Sequence, residues 1–198
     1  MIKLMDPIIK SHKVDISTGL NVHYLEALKN NNKIDSQPTV LLLHGFPELS
    51  FSWRKIMPIL ANEGFRVIAP DMRGYGLTSG GVKKYDVDIS EYRLLNLTTD
   101  ILSLINALKI DKIDLLVGHD AGSSVAGISA LIRPDIFKSV VMMSAPFTGA
   151  PNVESNLSYE DPIHKNLENL NPPRKHYQWY YSTPGANNDM HLDKKGLH

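Results

Sequence analysis

Four short apolar runs, alternating with helix-spaced segments, constrain this chain more than any other feature of it. They are Thr39-Val40-Leu41-Leu42-Leu43, Phe65-Arg66-Val67-Ile68-Ala69, Ile113-Asp114-Leu115-Leu116-Val117 and Phe137 to Met143. Near-continuous apolar runs of this length fit strands buried on both faces. Three helices are predicted between them. Trp53 to Asn62 has helical apolar spacing and is ended by Gly64. Ile89 to Leu108 puts Leu94, Leu97, Ile101, Leu104, Ile105 and Leu108 on one face. Ala121 to Ile132 is rich in small residues and stops before Pro134. Strand and helix therefore alternate from residue 39 to 144, the signature of an α/β fold with a mostly parallel sheet and helices on both faces. Ahead of it, two alternating segments between residues 12 and 28 predict a β-hairpin turning at Thr18-Gly19.

The texture changes at Pro146, where Asn, Pro and charged residues take over and aromatics gather at His176-Tyr177-Gln178-Trp179-Tyr180-Tyr181. Residues 1–145 are expected to form the core and 146–198 a separate, mainly helical piece. A length of 198 residues with 42% hydrophobic content suits that division. Lys+Arg and Asp+Glu are equal at 21 each, so no net charge draws the protein to nucleic acid or a membrane surface. No stretch approaches the roughly 18 apolar residues of a membrane span. Met1 to Ser17 lacks the apolar centre of a signal peptide, so the cytoplasm is the expected location. The absence of cysteine excludes disulfides, a thiol nucleophile and thiolate metal sites. The eight histidines show no ligand spacing, and no metal or cofactor is expected. The oligomeric state is not set by any of this.

Open α/β sheets place ligands beyond the carboxyl ends of their strands. After the third run comes Gly118-His119-Asp120-Ala121-Gly122-Ser123, leading directly into a helix. This is a G-x-D-x-G form of the nucleophile elbow. Small neighbours such as Gly118, Gly122 and Ser123 let strand and helix close on a sharp turn. The plainer alternative is an aspartate that caps the helix. A carboxylate, with a pKa of about 3.9, is ionised at neutral pH and needs no base before it attacks. It suits displacement at an sp³ carbon, with an alkyl ester formed on the enzyme. After the first run comes His44-Gly45-Phe46-Pro47-Glu48. The N–H groups of Phe46 and Ala121 are candidates for an oxyanion hole. After the second comes Asp71-Met72-Arg73-Gly74-Tyr75-Gly76. A dinucleotide fingerprint would need its third glycine at Ser79, so this segment is expected to be a structural loop.

Together with Ser52-Trp53-Arg54, these three motifs make the chain resemble the epoxide hydrolases of the α/β-hydrolase superfamily. The resemblance runs from about residue 10 to the end. The aspartate at the elbow resembles the epoxide-hydrolase and haloalkane-dehalogenase branch, and Glu48 leans toward epoxide hydrolases. The resemblance implies that Asp120 opens a small hydrophobic epoxide, and that His44, Gly45, Pro47, Gly118, His119 and Gly122 support the elbow and its facing loop. It also implies that residues 146–198 begin a cap. Tyr177, in Tyr177-Gln178, then matches the tyrosine that hydrogen-bonds the epoxide oxygen, with Tyr180 and Tyr181 as rivals.

Two departures stand out. Ala121 occupies a position where many members carry Trp and fluoroacetate dehalogenases often carry Arg. In the family, an acid and a general-base histidine also follow later strands. His164, His176, His191 and His198 lie in the cap stretch, and none matches that base. The chain is therefore expected to be a C-terminally truncated relative, impaired in the ester-hydrolysis step, with an apolar edge on its last strand. Haloalkane dehalogenase activity and non-catalytic ligand binding are the alternatives.

Overall fold

The structure is a computed structural model and describes residues 9–29, 37–82, 84, 86–146 and 162–192. The chain divides into two compact units, Met1–Thr148 and Gly149–His198. The first is built on a six-stranded sheet: β1 (Ile9–Asp15), β2 (Asn21–Ala27), β3 (Thr39–Leu43), β4 (Arg66–Pro70), β5 (Leu115–His119) and β6 (Val140–Met143). Their spatial order is β1-β2-β4-β3-β5-β6. β1 and β2 form an antiparallel hairpin, and β2 runs antiparallel to β4. The pairs β3–β4, β3–β5 and β5–β6 are parallel.

Because successive side chains alternate faces, the buried β3 divides its residues between two cores. Leu41 and Leu43 join Ile101, Leu104 and Ile105 of α2 (Leu94–Ala107), and Val125 and Ala126 of α3 (Ala121–Ile132). Val40 and Leu42 face the other way, onto Met57 and Ala61 of α1 (Met57–Asn62). Each fully buried Leu or Ile contributes about 1.5–3 kcal/mol. The parallel pairs and this two-faced core form a mostly parallel α/β sheet with helices on both faces.

The expected helices and strands are present, with shifted limits. Residues 53–62 do not form one helix: a 3-10 helix over Ser50–Lys55 precedes α1, and Pro58 lies in the first turn of α1, where its missing N–H costs nothing. The segment 89–108 is also broken. Ser90–Tyr92 is a 3-10 turn, and Arg93 is extended at φ −62°, ψ 145° before α2 starts. Two side chains fix that break: Asn96 donates to the Ser90 carbonyl at 2.8 Å, and Arg73 binds Glu91 at 2.7 Å. β5 begins two residues late, because the Asp114 carboxylate takes the Thr39 N–H at 2.8 Å. Ile113 keeps only an isolated bridge to Phe137, so β6 is confined to Val140–Met143. Among the described residues β6 ends the sheet on its side, with Val140, Val141 and Met143 exposed.

The second unit carries α4 (Pro162–Glu168), α5 (Tyr177–Tyr181) and α6 (Pro184–Leu192). Residues 147–161 and 193–198 of the expected cap lie outside the described residues. No described helix is long and apolar enough to cross a membrane.

Candidate functional site

The site is assembled where β5 turns into α3. Asp120 sits at that turn with φ 51° and ψ −119°, a left-handed conformation that side-chain-bearing residues rarely adopt. Such strain costs on the order of 1–3 kcal/mol and persists only where the surroundings impose it. They impose it here from both sides. The Asp120 N–H donates to the Met143 carbonyl at 3.0 Å, and the Asp120 carbonyl accepts from the Ser123 N–H at 3.0 Å. Buried Ser123 adds a bond from its hydroxyl to the Ala145 carbonyl at 2.8 Å.

Glycine is needed at three nearby positions because backbones nearly touch. A Cβ on Gly118 would overlap the Gly122 carbonyl. One on Gly122 would lie 2.5 Å from the carbonyl oxygens of Leu43 and His44. One on Gly45 would lie 2.5 Å from Asp120 Cβ. The β3 loop is thereby pressed against the turn, and the Phe46 N–H donates to Asp120 Oδ1 at 3.0 Å. This bond, seconded by the Ala121 N–H and the neighbouring His119, holds the Asp120 carboxyl below the usual carboxylate range against the opposing effect of partial burial. The carboxylate is therefore ionised at neutral pH, with Oδ1 bound by the Phe46 N–H.

His44 fixes the loop from beneath. It is 1% exposed. Its Nε2 accepts the Met72 N–H at 3.0 Å, so Nδ1 carries the proton and donates to the Gly45 carbonyl at 2.9 Å. Burial pushes its pKa down, consistent with a neutral ring. Tyr75 packs edge-on against it at 4.9 Å. The Phe46-Pro47 bond is cis.

Sequence reasoning gave Glu48 no role, yet it links the two halves of the site. Its Oε2 accepts the Gly45 N–H at 3.0 Å and lies 2.7 Å from His119 Nδ1. Partial burial raises the Glu48 pKa, but the bonds from His119 and Gly45 outweigh it and leave the carboxyl ionised. An acidic residue three places after Gly45 was the only available signal. The approach of His119 depends on tertiary structure.

Asp120, Phe46, Ala121, His44, Gly45, Pro47, Gly118, His119 and Gly122 all belong to this one locality. Tyr177 belongs to the second unit, as the first residue of α5, half-exposed and 4.6 Å from the His176 ring. Tyr180 donates its hydroxyl to Asp189 at 2.7 Å, which raises its pKa. Of His164 and His191 only the backbone is described, and His198 lies outside the described residues. Among the described residues, no group of three or more His, Cys, Asp or Glu could hold a metal ion.

Residues 38–183 match the α/β hydrolase fold family. An epoxide hydrolase of Caballeronia sordidicola is 44% identical over 134 residues, covering 67% of this chain and 37% of its own. Epoxide hydrolase B of Mycobacterium tuberculosis is 34% identical over 189 residues, covering 93% and 51%. Among solved structures, potato (Solanum tuberosum) epoxide hydrolase I superposes with a TM-score of 0.71 at 33% identity, over 92% of this chain and 52% of that one. The chain thus spans roughly a third to a half of the length of these relatives.

Proposed function

This chain belongs to the α/β-hydrolase fold family, among its epoxide-hydrolase-like members, and from that premise we propose that Asp120 is a nucleophile that opens epoxides through an alkyl ester. The observation that carries the reading is the binding of one carboxylate oxygen by the Phe46 N–H at the summit of a strained turn. With Oδ1 engaged, Oδ2 is the oxygen available to attack. Its lone pair forms a C–O bond to an epoxide carbon as the ring C–O bond breaks, and the ring oxygen takes a proton. Tyr177 supplies that proton, with the second unit acting as the start of a cap. Tyr180 is less suited, because its hydroxyl already donates to Asp189.

Hydrolysis follows when water attacks the ester carbonyl. The negative charge then falls on Oδ1, which the Phe46 N–H already binds, with the Ala121 N–H as the second donor of the proposed hole. That step needs a base, and three histidines of the first unit are otherwise engaged: His44 at both nitrogens, His23 at both nitrogens, and His119 at Nδ1. For the 198-residue chain the proposal therefore assigns the first half-reaction and a slow second one. The substrate is a small hydrophobic epoxide, and no cofactor takes part in these steps.

A single-turnover assay with styrene oxide tests this. Consumption of one equivalent of epoxide with little diol released is expected. Fast halide release from a chloroalkane with no epoxide consumed would favour dehalogenation instead.

A further inference from the structure

A second nucleophile constellation is built by β1, β2 and the loop after β4. His23 of β2 is 5% exposed and Asp71, in the loop after β4, is 3% exposed. His23 Nδ1 lies 2.8 Å from Asp71 Oδ2, and His23 Nε2 lies 2.8 Å from the Oγ of Ser11 on β1. Asp71 also accepts the N–H groups of Ser50 at 2.9 Å and Leu77 at 2.9 Å, so its carboxylate is an acceptor only. Nδ1 of His23 must then donate to it. Nε2 is left as an acceptor, and the Ser11 hydroxyl is the donor.

The main chains behind these groups are tied together. The His23 N–H donates to Thr78 Oγ1 at 3.0 Å, the Thr78 hydroxyl donates to the Asp71 carbonyl at 2.6 Å, and the Asp71 N–H donates to the His23 carbonyl at 2.9 Å. Ser11 is exposed on the outermost strand. Lys13 follows two residues later on the same face, directly across from His23.

We infer that Ser11, His23 and Asp71 form a serine acyl-transfer site, with an activated ester of a small acyl group as its substrate class. A buried carboxylate holding a histidine, which in turn accepts a serine proton, is the arrangement that makes a hydroxyl nucleophilic. Ser11 Oγ bonds to the acyl carbon while its proton moves to His23 Nε2, and the C–O bond to the departing alkoxide or phenoxide breaks. His23 Nε2 passes that proton to the departing oxygen, which leaves as the alcohol or phenol. The neutral His23 then takes a proton from water as it attacks the acyl-serine, and returns it to Ser11 Oγ as the carboxylic acid leaves. Lys13, across from His23 on the same face of the hairpin, is the cation assigned to the charge that develops on the acyl oxygen.

The test uses the 198-residue chain carrying Asp120→Asn, which keeps it independent of the elbow chemistry. The protein is treated with p-nitrophenyl acetate and mapped by peptide mass spectrometry. Exposed Ser52, on the 3-10 helix before α1, serves as an internal reference. Acetylation of Ser11 should be at least about 10²-fold faster than of Ser52, the smallest effect usual for an assisting base. His23→Gln should remove that advantage, and Ser11→Ala should remove the label. Equal acetylation of Ser11 and Ser52 would overturn the inference without reference to any variant. So would acetylation of Ser11 that is unchanged by His23→Gln in a folded protein.

Discussion

The backbone N–H of Phe46 donates to Oδ1 of Asp120 at 3.0 Å, joining residues 74 positions apart in sequence. That bond exists because β3 and β5 are parallel neighbours, which brings their two following loops to the same end of the sheet. It divides the carboxylate into a bound oxygen and an attacking one, and each prediction below tests part of that division or of the frame that holds it.

Asp120 combines strain with chemistry. Asp120→Gly relieves the positive φ and should raise stability by about 1 kcal/mol while abolishing alkylation. Urea denaturation and epoxide consumption, measured on the same preparation, check both. A destabilised Asp120→Gly protein would show that the turn is not strained.

Gly45 should tolerate no side chain. A Cβ there meets Asp120 Cβ at 2.5 Å, so Gly45→Ala should cost about 2 kcal/mol or more and displace the Phe46 N–H from the carboxylate. Gly19→Ala is the control. Gly19 has a φ of 84° but nothing within 4 Å of its would-be Cβ. It should cost about 1 kcal/mol and leave alkylation unchanged.

Glu48 acts as a positioning residue through Gly45 and His119. Glu48→Gln keeps an acceptor for the Gly45 N–H but removes the charge beside His119. The pH dependence of alkylation should shift, with a loss in maximal rate of about tenfold or less. A purely structural role would lower the melting temperature and leave the pH profile in place.

Acid should unfold this protein through named groups. The folded Asp71 carboxyl stays below its ordinary value because hydrogen bonds from Leu77, Ser50 and His23 outweigh burial. Its stabilisation is complete above the unfolded value of about 3.9 and is lost as pH falls through the lower folded one. His44, lowered by burial, binds fewer protons folded than unfolded. Stability should therefore begin to fall below about pH 6.5 and fall further below 4. Asp71→Asn should be less stable at pH 7 and flatter below pH 4, as read by denaturation midpoints across pH.

Tyr177 and Tyr180 separate the acid from its rival. Tyr177→Phe should slow alkylation by about 10²-fold or more, whereas Tyr180→Phe, which loses only the bond to Asp189, should change it far less. Reversed effects would move the acid to Tyr180.

Much of this was legible in the chain itself, for definite reasons. The buried strands are apolar on both faces, so Thr39–Leu43 stands out without any partner being known. The position of Asp120 follows from local spacing, because a tight strand-to-helix turn demands Gly118 and Gly122 within two residues of it. Local spacing did not reveal the break at Arg93, which depends on Arg73 reaching Glu91 from another loop. It also gave no sign of the Glu48–His119 bridge or of Ser11 meeting His23. The last arises from the hairpin register, which sets Lys13 opposite His23 and leaves Ser11 on the diagonal.

The central claim is that Asp120 forms the ester. The most direct measurement is the intact mass of the 198-residue chain after incubation with styrene oxide, followed by peptide mapping. One adduct per chain, located on Asp120 and absent from Asp120→Asn, is the predicted result. An adduct on another residue, or one that persists in Asp120→Asn, would contradict the account.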